Sequence, residues 1–128
     1  FRAAQAVADL NEPPPAGGWT VEVTYLANAG VMLTAGDTKV IIDGLFRPYE
    51  GYPVLPETYR DQLERGLPPF DGIDLILVSH VHGDHFHPES VASYLRSVPG
   101  ASLVTSDQVA AALDQVGVAP SVSQRVSP

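Results

Sequence analysis

The chain has 128 residues, 7 basic and 15 acidic side chains, and a net charge of −8 at pH 7. At 45% hydrophobic and 17% charged residues it is too apolar for a disordered chain, and the length suits one domain. No apolar run approaches the ~18 residues of a membrane span. The lack of cysteine excludes disulfides, thiol nucleophiles and Cys-based zinc sites, and a single lysine argues against nucleic acid as a partner.

The chain opens on Phe1, and Met32 is its only methionine. This predicts a processed form, a trimmed form or a fragment. The first eight residues are too short and polar for a signal-peptide core; they follow a removed signal or form a short helix. Localisation is left open between exported and cytoplasmic. Residues 11–18, with three consecutive prolines and two glycines, read as a linker. Residues 1–18 are therefore an extension, and 19–128 the domain.

Over 19–27, Val21, Val23 and Tyr25 alternate with Glu22 and Thr24, the period of a half-buried strand. Asn28-Ala29-Gly30 is a turn, 31–34 a second strand, Gly36-Asp37 a hairpin turn, and 38–42 a third strand ending at Asp43. The stretch 44–56 reads as a loop. A helix over 57–65 follows, with Pro56 at its start and Gly66 at its end. The apolar run 73–79 predicts a strand buried on both faces. A helix over 88–97 presents Val91, Tyr94 and Leu95 on one face. A short strand over 101–105 and a helix over 106–116, capped by Ser106, complete the pattern. Residues 121–128 show no terminating element. The fold class is α/β: an antiparallel meander, then β-loop-α-β-α, with helices layered on a mixed sheet.

All four histidines lie in Ser79-His80-Val81-His82-Gly83-Asp84-His85-Phe86-His87. They follow a buried strand, where such folds place functional side chains. In extended backbone, residues i and i+2 point the same way, so His80 and His82 can converge on one ion. Gly83 permits a bend, after which Asp84 and His85 can turn towards a second ion. Imidazole and carboxylate donors without thiolate suit zinc, with iron or manganese as substitutes.

The order H-x-H-x-D-H after a hydrophobic strand resembles the signature of the metallo-β-lactamase-fold superfamily. The resemblance covers about 21–116. It implies the N-terminal half of a four-layer αββα sandwich and a metal-bound hydroxide that attacks an ester, lactone, amide, thioester or phosphodiester. By position, it implies that His80 and His82 bind one zinc, and Asp84 and His85 a second. Asp84 would also orient the bridging hydroxide and accept its proton. Asp43, closing the meander, would fix the motif loop through hydrogen bonds.

The hairpin from Tyr25 to Val31 is similar to that of lactonase-like and phospholipase-D-like members, which often carry a histidine at the place of Asn28. Asn28 is thus a candidate substrate contact, with an ordinary hairpin residue as the plain reading. His87 lies outside the motif; it is a helix cap, a surface residue or a further contact to metal or substrate. The segment 44–70, with Phe46, Tyr49, Tyr52 and Tyr59, either walls the pocket or packs the loop down.

The resemblance also implies a third-motif histidine, a bridging aspartate and a last histidine downstream. No histidine follows His87, and the only later aspartates are Asp107 and Asp114, on a predicted helix. The expectation is half a sandwich and about half of a two-zinc site, with little or no hydrolase activity in these 128 residues alone. An exposed sheet edge predicts self-association. The expected partner is a small-molecule substrate. A second reading is a non-enzymatic metal-binding domain, as a homodimer completing the site from two chains. A third is a protein-interaction domain.

Overall fold

The structure is a computed structural model, and it describes residues 16–18 and 20–118 together with the backbone of Ser123–Arg125. The linker expected over 11–18 lies outside the described residues up to position 15. Strands β1 (Glu22–Tyr25), β2 (Val31–Ala35) and β3 (Thr38–Ile42) precede helix α1 (Glu57–Glu64). Then come β4 (Leu75–Val78), α2 (Pro88–Ser97), β5 (Ser102–Thr105), α3 (Asp107–Gln115) and β6 (Ser123–Arg125).

The strands form one sheet in sequence order. β1–β2 and β2–β3 pair antiparallel; β3–β4, β4–β5 and β5–β6 pair parallel. Tight turns serve the antiparallel pairs, and a helical crossover separates each parallel pair, as strand geometry demands. β6 corrects the expectation that 121–128 holds no element. Its residues pair with β5 from Leu103↔Ser123 to Thr105↔Arg125. Ser-Gln-Arg carries no apolar alternation, so this strand leaves no periodic trace in the sequence.

One face of the sheet carries the core. Met32, Ile41, Ile76 and Leu103 stand in register across β2 to β5 and are buried. Leu63 of α1, Val91 and Tyr94 of α2, and Val109 and Leu113 of α3 join them in one cluster. The other face is equally apolar and lacks a covering layer among the described residues. Tyr25, Val31, Ile42, Leu77 and Val104 form one row across it; Val23, Leu33, Val40 and Leu75 form the next. Val23 is 63% exposed and Tyr25 64%. The period-two reading of 19–27 therefore holds, but its apolar side faces outward. The expectation of a strand over 73–79 buried on both faces is likewise corrected. Ile76 and Val78 are buried, whereas Leu75 and Leu77 are half-buried, because the helices cover only one side.

Helix α1 ends as its sequence predicts. Gly66 adopts φ +62°, its N–H donates to the Leu63 carbonyl, and the Leu67 N–H donates to the Gln62 carbonyl. This is a Schellman cap, which satisfies carbonyls the helix leaves open. Among the described residues, no helix is long and apolar enough to cross a membrane.

Tyr94 ties α2 to the segment before β4. Its hydroxyl donates to the Phe70 carbonyl (3.2 Å) and accepts from the Ile73 N–H (3.3 Å). Burial pushes the phenol up to about 12 from its usual 10.0, helped by Asp71 and Asp74 and opposed by the Ile73 hydrogen bond. The folded state thus holds this proton longer than the unfolded chain. Its contribution to stability is complete below pH 10 and is lost as pH rises towards 12. Tyr94→Phe is expected to cost about 1–3 kcal/mol at neutral pH, by leaving two buried backbone groups unpaired. It should also remove this part of the alkaline destabilisation. Urea unfolding of both chains at neutral pH and above pH 10 checks it.

Candidate metal centre

The candidate residues gather where the parallel strands end, the usual place for a site in an open α/β sheet. β3 delivers Asp43, β4 delivers Ser79 and the histidine loop, and the β1–β2 turn delivers Asn28. Asp43 is 5% exposed and adopts φ +48°. Its carboxylate accepts from the Ser79 N–H (2.7 Å) and the Ser79 hydroxyl (2.6 Å), and meets His85 Nδ1 at 2.9 Å.

These contacts assign the imidazole tautomers. An ionised carboxylate only accepts, so His85 Nδ1 carries the proton that points at Asp43. The Ser79 hydroxyl spends its single hydrogen on Asp43, so His80 Nδ1, 2.8 Å away, donates to Ser79 Oγ. Both rings therefore keep the Nε2 lone pair for a ligand. This is the arrangement in which outer hydrogen bonds orient metal-binding histidines.

His80, His82 and Asp84 each offer a ligand atom, and these atoms lie within 4.8 Å of one another. Rotation of the side chains can close this spread to Zn–N and Zn–O lengths of about 2.0–2.2 Å. The structure thus groups Asp84 with His80 and His82. Asp84 also faces His85, with Oδ2 3.4 Å from Nε2, so it stands between His85 and the His80–His82 pair. The His80 ring centroid is 4.0 Å from that of His85 and 4.6 Å from that of His82. A neutral-nitrogen and carboxylate donor set without sulfur fits a divalent ion such as zinc.

The loop is fixed at several points. The His85 and Phe86 N–H groups both donate to the His82 carbonyl, and Phe86 is buried in the core. Asn28 Nδ2 donates to the Asp84 carbonyl at 2.6 Å. The structure therefore places Asn28 on the backbone of the histidine loop. His87 caps α2: its Nδ1 accepts from the Ser90 N–H, and its own N–H donates to the Leu45 carbonyl. Burial is the largest influence on His87 and lowers its pKa below 6.5, with Arg47 adding to this and Glu89 and Glu64 opposing it. A neutral ring is what an accepting cap requires.

Sequence reasoning missed two groups of residues. Ser79 bridges Asp43 and His80, and its position just before the first histidine was the only signal. Arg47, Glu64 and Ser90 form a clamp behind the loop. Arg47 donates to Glu64 (2.8 Å) and to Ser90 Oγ (3.1 Å), and Ser90 donates to Glu64 (2.6 Å). These residues are 17 to 43 positions apart, so no local pattern announces them. Beside the site, an open groove of about 750 Å³ runs along Ile42, Leu77, Ser79 and Val104 to the start of α3.

No protein-family model matches the chain. Over 97 residues it is 36% identical to a UPF0173 metal-dependent hydrolase of Thermus thermophilus, covering 76% of this chain and 36% of that protein. Over 98 residues it is 34% identical to a UPF0173 metal-dependent hydrolase of Heliobacterium modesticaldum, covering 77% of this chain and 35% of that protein. The UPF0173 protein YddR of Bacillus subtilis is 30% identical over 74 residues, covering 52% of this chain and 29% of that protein. The chain spans about a third of the length of the curated relatives it matches. Among solved structures, a crystal structure from Parabacteroides distasonis, provisionally described as a metal-dependent hydrolase, is similar with a TM-score of 0.52. Sequence identity is 19%, over 80% of this chain and 38% of that one, so this likeness is one of fold.

Proposed function

We propose that these residues form the N-terminal half of a zinc-dependent hydrolase with a two-metal site and an αββα, metallo-β-lactamase-like sandwich. The observation that carries this reading is the convergence of His80, His82 and Asp84, with His80 and His85 held in a ligand-ready tautomer through Ser79 and Asp43. The relatives' names support metal-dependent hydrolysis as the reaction class. A bound divalent ion supplies Lewis-acid polarisation of the attacking water and of the scissile ester, lactone, amide or phosphodiester.

The chain's own residues do the rest. His80 and His82 bind on one side, and His85 on the other. Asp84, between them, orients the attacking water and takes its proton. Asp43 and Ser79 fix the rings, and Asn28 holds the Asp84 backbone. Iron or manganese could replace zinc on this donor set.

The bare apolar face supports the sandwich. In such an architecture a second sheet packs on it about 10 Å away. Expressed alone, the chain is expected to self-associate through this face. Sedimentation should show mass rising with concentration, and Leu33→Asp with Leu77→Asp should suppress that rise. A wild-type chain that stays a compact monomer at every concentration would count against the uncovered face.

Metal analysis and assays on the 128-residue chain test the functional reading. Bound zinc with at most faint turnover of aryl esters and phosphodiesters is the expected result. Failure to retain any divalent ion contradicts the metal site, and strong turnover contradicts the incomplete one. A stoichiometric zinc dimer bridged by the histidine loops would favour the non-enzymatic metal-binding reading.

A further inference from the structure

Beside the histidine loop stands a pair of aromatic rings that the proposed chemistry does not use. Tyr49 and Tyr52 are the ends of one tight turn, closed by the Tyr52 N–H donating to the Tyr49 carbonyl at 3.1 Å. Gly51 adopts φ +83°, the conformation a type II turn needs at its third position. The two ring centroids lie 5.7 Å apart with planes tilted by 45°. That separation is within the range of favourable aromatic packing.

The Tyr49 ring rests on Gly83. A Cβ on Gly83 would sit 2.9 Å from both Cδ2 and Cε2 of that ring, so the backbone between His82 and Asp84 leaves a notch that the ring fills. Loop packing accounts for the side of Tyr49 that meets Gly83, but not for the exposed remainder of the two rings. Phe46, in the same loop, is buried and does the packing, whereas Tyr49 and Tyr52 are 51% and 45% exposed. The turn thus holds two large aromatic surfaces open to solvent, one of them in contact with the metal loop.

We infer that Tyr49 and Tyr52 form a specificity wall that receives an aryl group of the substrate, carried on the acyl or the leaving side of the bond to be cut. This rests on the hydrolase reading above and adds a substrate class to it. The physical reason is the area on offer. A flat aryl group can pack on the exposed rings and desolvate them, while a methyl group reaches little of that surface. Two rings on one turn make an open step. A box closed on several sides, as recognition of a quaternary ammonium uses, is not formed by this pair.

The test compares two phosphonates, which carry the anionic oxygens of a hydrolytic transition state and are not cleaved, with phosphocholine, a phosphate monoester whose trimethylammonium group probes for a cation site. Affinities of phenylphosphonate, methylphosphonate and phosphocholine for the zinc-loaded chain are measured by calorimetry. The expected result is that phenylphosphonate binds about tenfold more tightly than methylphosphonate, in line with one aromatic contact beyond simple burial. That preference should fall to about twofold or less in Tyr49→Ala and, separately, in Tyr52→Ala. Tyr59→Ala, an exposed tyrosine on α1, should keep it in full. Equal affinities of the wild-type chain for the phenyl and methyl compounds, with zinc bound, overturn the aryl wall and leave the hydrolase reading standing. A preference for phosphocholine overturns it in favour of a cation site. Loss of zinc binding itself, or binding of neither phosphonate to the zinc-loaded chain, overturns both.

Discussion

An Asp43→Ala chain is expected to be less stable by about 3 kcal/mol and to bind zinc about 10–100-fold more weakly. The carboxylate serves the Ser79 N–H, the Ser79 hydroxyl and His85 Nδ1 at once, at distances of 2.6–2.9 Å. Alanine leaves all three without their acceptor in a partly buried place, and hydrogen bonds to charged groups are the stronger kind. It also sets a Cβ-bearing residue without a compensating polar group at φ +48°. The metal effect follows by a separate route. With Asp43 gone, Ser79 Oγ and His85 lose the contacts that fix their orientation, and the Nε2 lone pairs are no longer aimed. Asp43→Asn keeps an accepting oxygen and tolerates the same backbone, so it should fall between the two. Urea unfolding gives the first quantity and a zinc titration the second. An alanine chain as stable as the wild type would show that Asp43 only closes a turn.

Asp84→Asn is expected to weaken zinc binding by at least about 100-fold, beyond what outer hydrogen-bond partners usually contribute. Stability should change little, because Asp84 is half-buried and its backbone carbonyl, which Asn28 holds, is untouched. Asp84 is the one anionic donor in the group with His80 and His82, and it also faces His85 Nε2. An amide is nearly the same shape but brings no charge, so a loss of affinity without a loss of fold would isolate the carboxylate's role. If asparagine binds zinc as well as aspartate does, Asp84 is not a ligand, and the pairing of donors across the loop has to be redrawn.

What was legible in the sequence was what is local. Helix α2 runs from Pro88 to Ser97, as proline, polar cap and apolar spacing predict. The meander and the strand before the histidines follow from period-two and continuous apolar runs. The histidine loop stood out because its candidate donors, His80, His82, Asp84 and His85, lie within six positions of the chain. What the sequence hid is long-range. Nothing local says that Tyr49 lies on Gly83, that Asn28 reaches the Asp84 carbonyl, or that Arg47, Glu64 and Ser90 form a clamp. Nor can alternation in β1 reveal which side of the sheet the helices cover. Val23 and Tyr25 follow the rule for a buried face, yet they point to solvent because the helices pack against the opposite side. β6 was hidden for another reason, since its strand exists through backbone pairing to β5.

Everything proposed for this chain depends on the loop following β4 holding a divalent metal. A calorimetric zinc titration of the 128-residue chain, beside a His80→Ala, His82→Ala chain whose circular dichroism matches the wild type, tests it most directly. Saturable binding by the wild type and no saturable binding by the double variant are the expected results. Equal titrations for the two chains, or none for either, would contradict it.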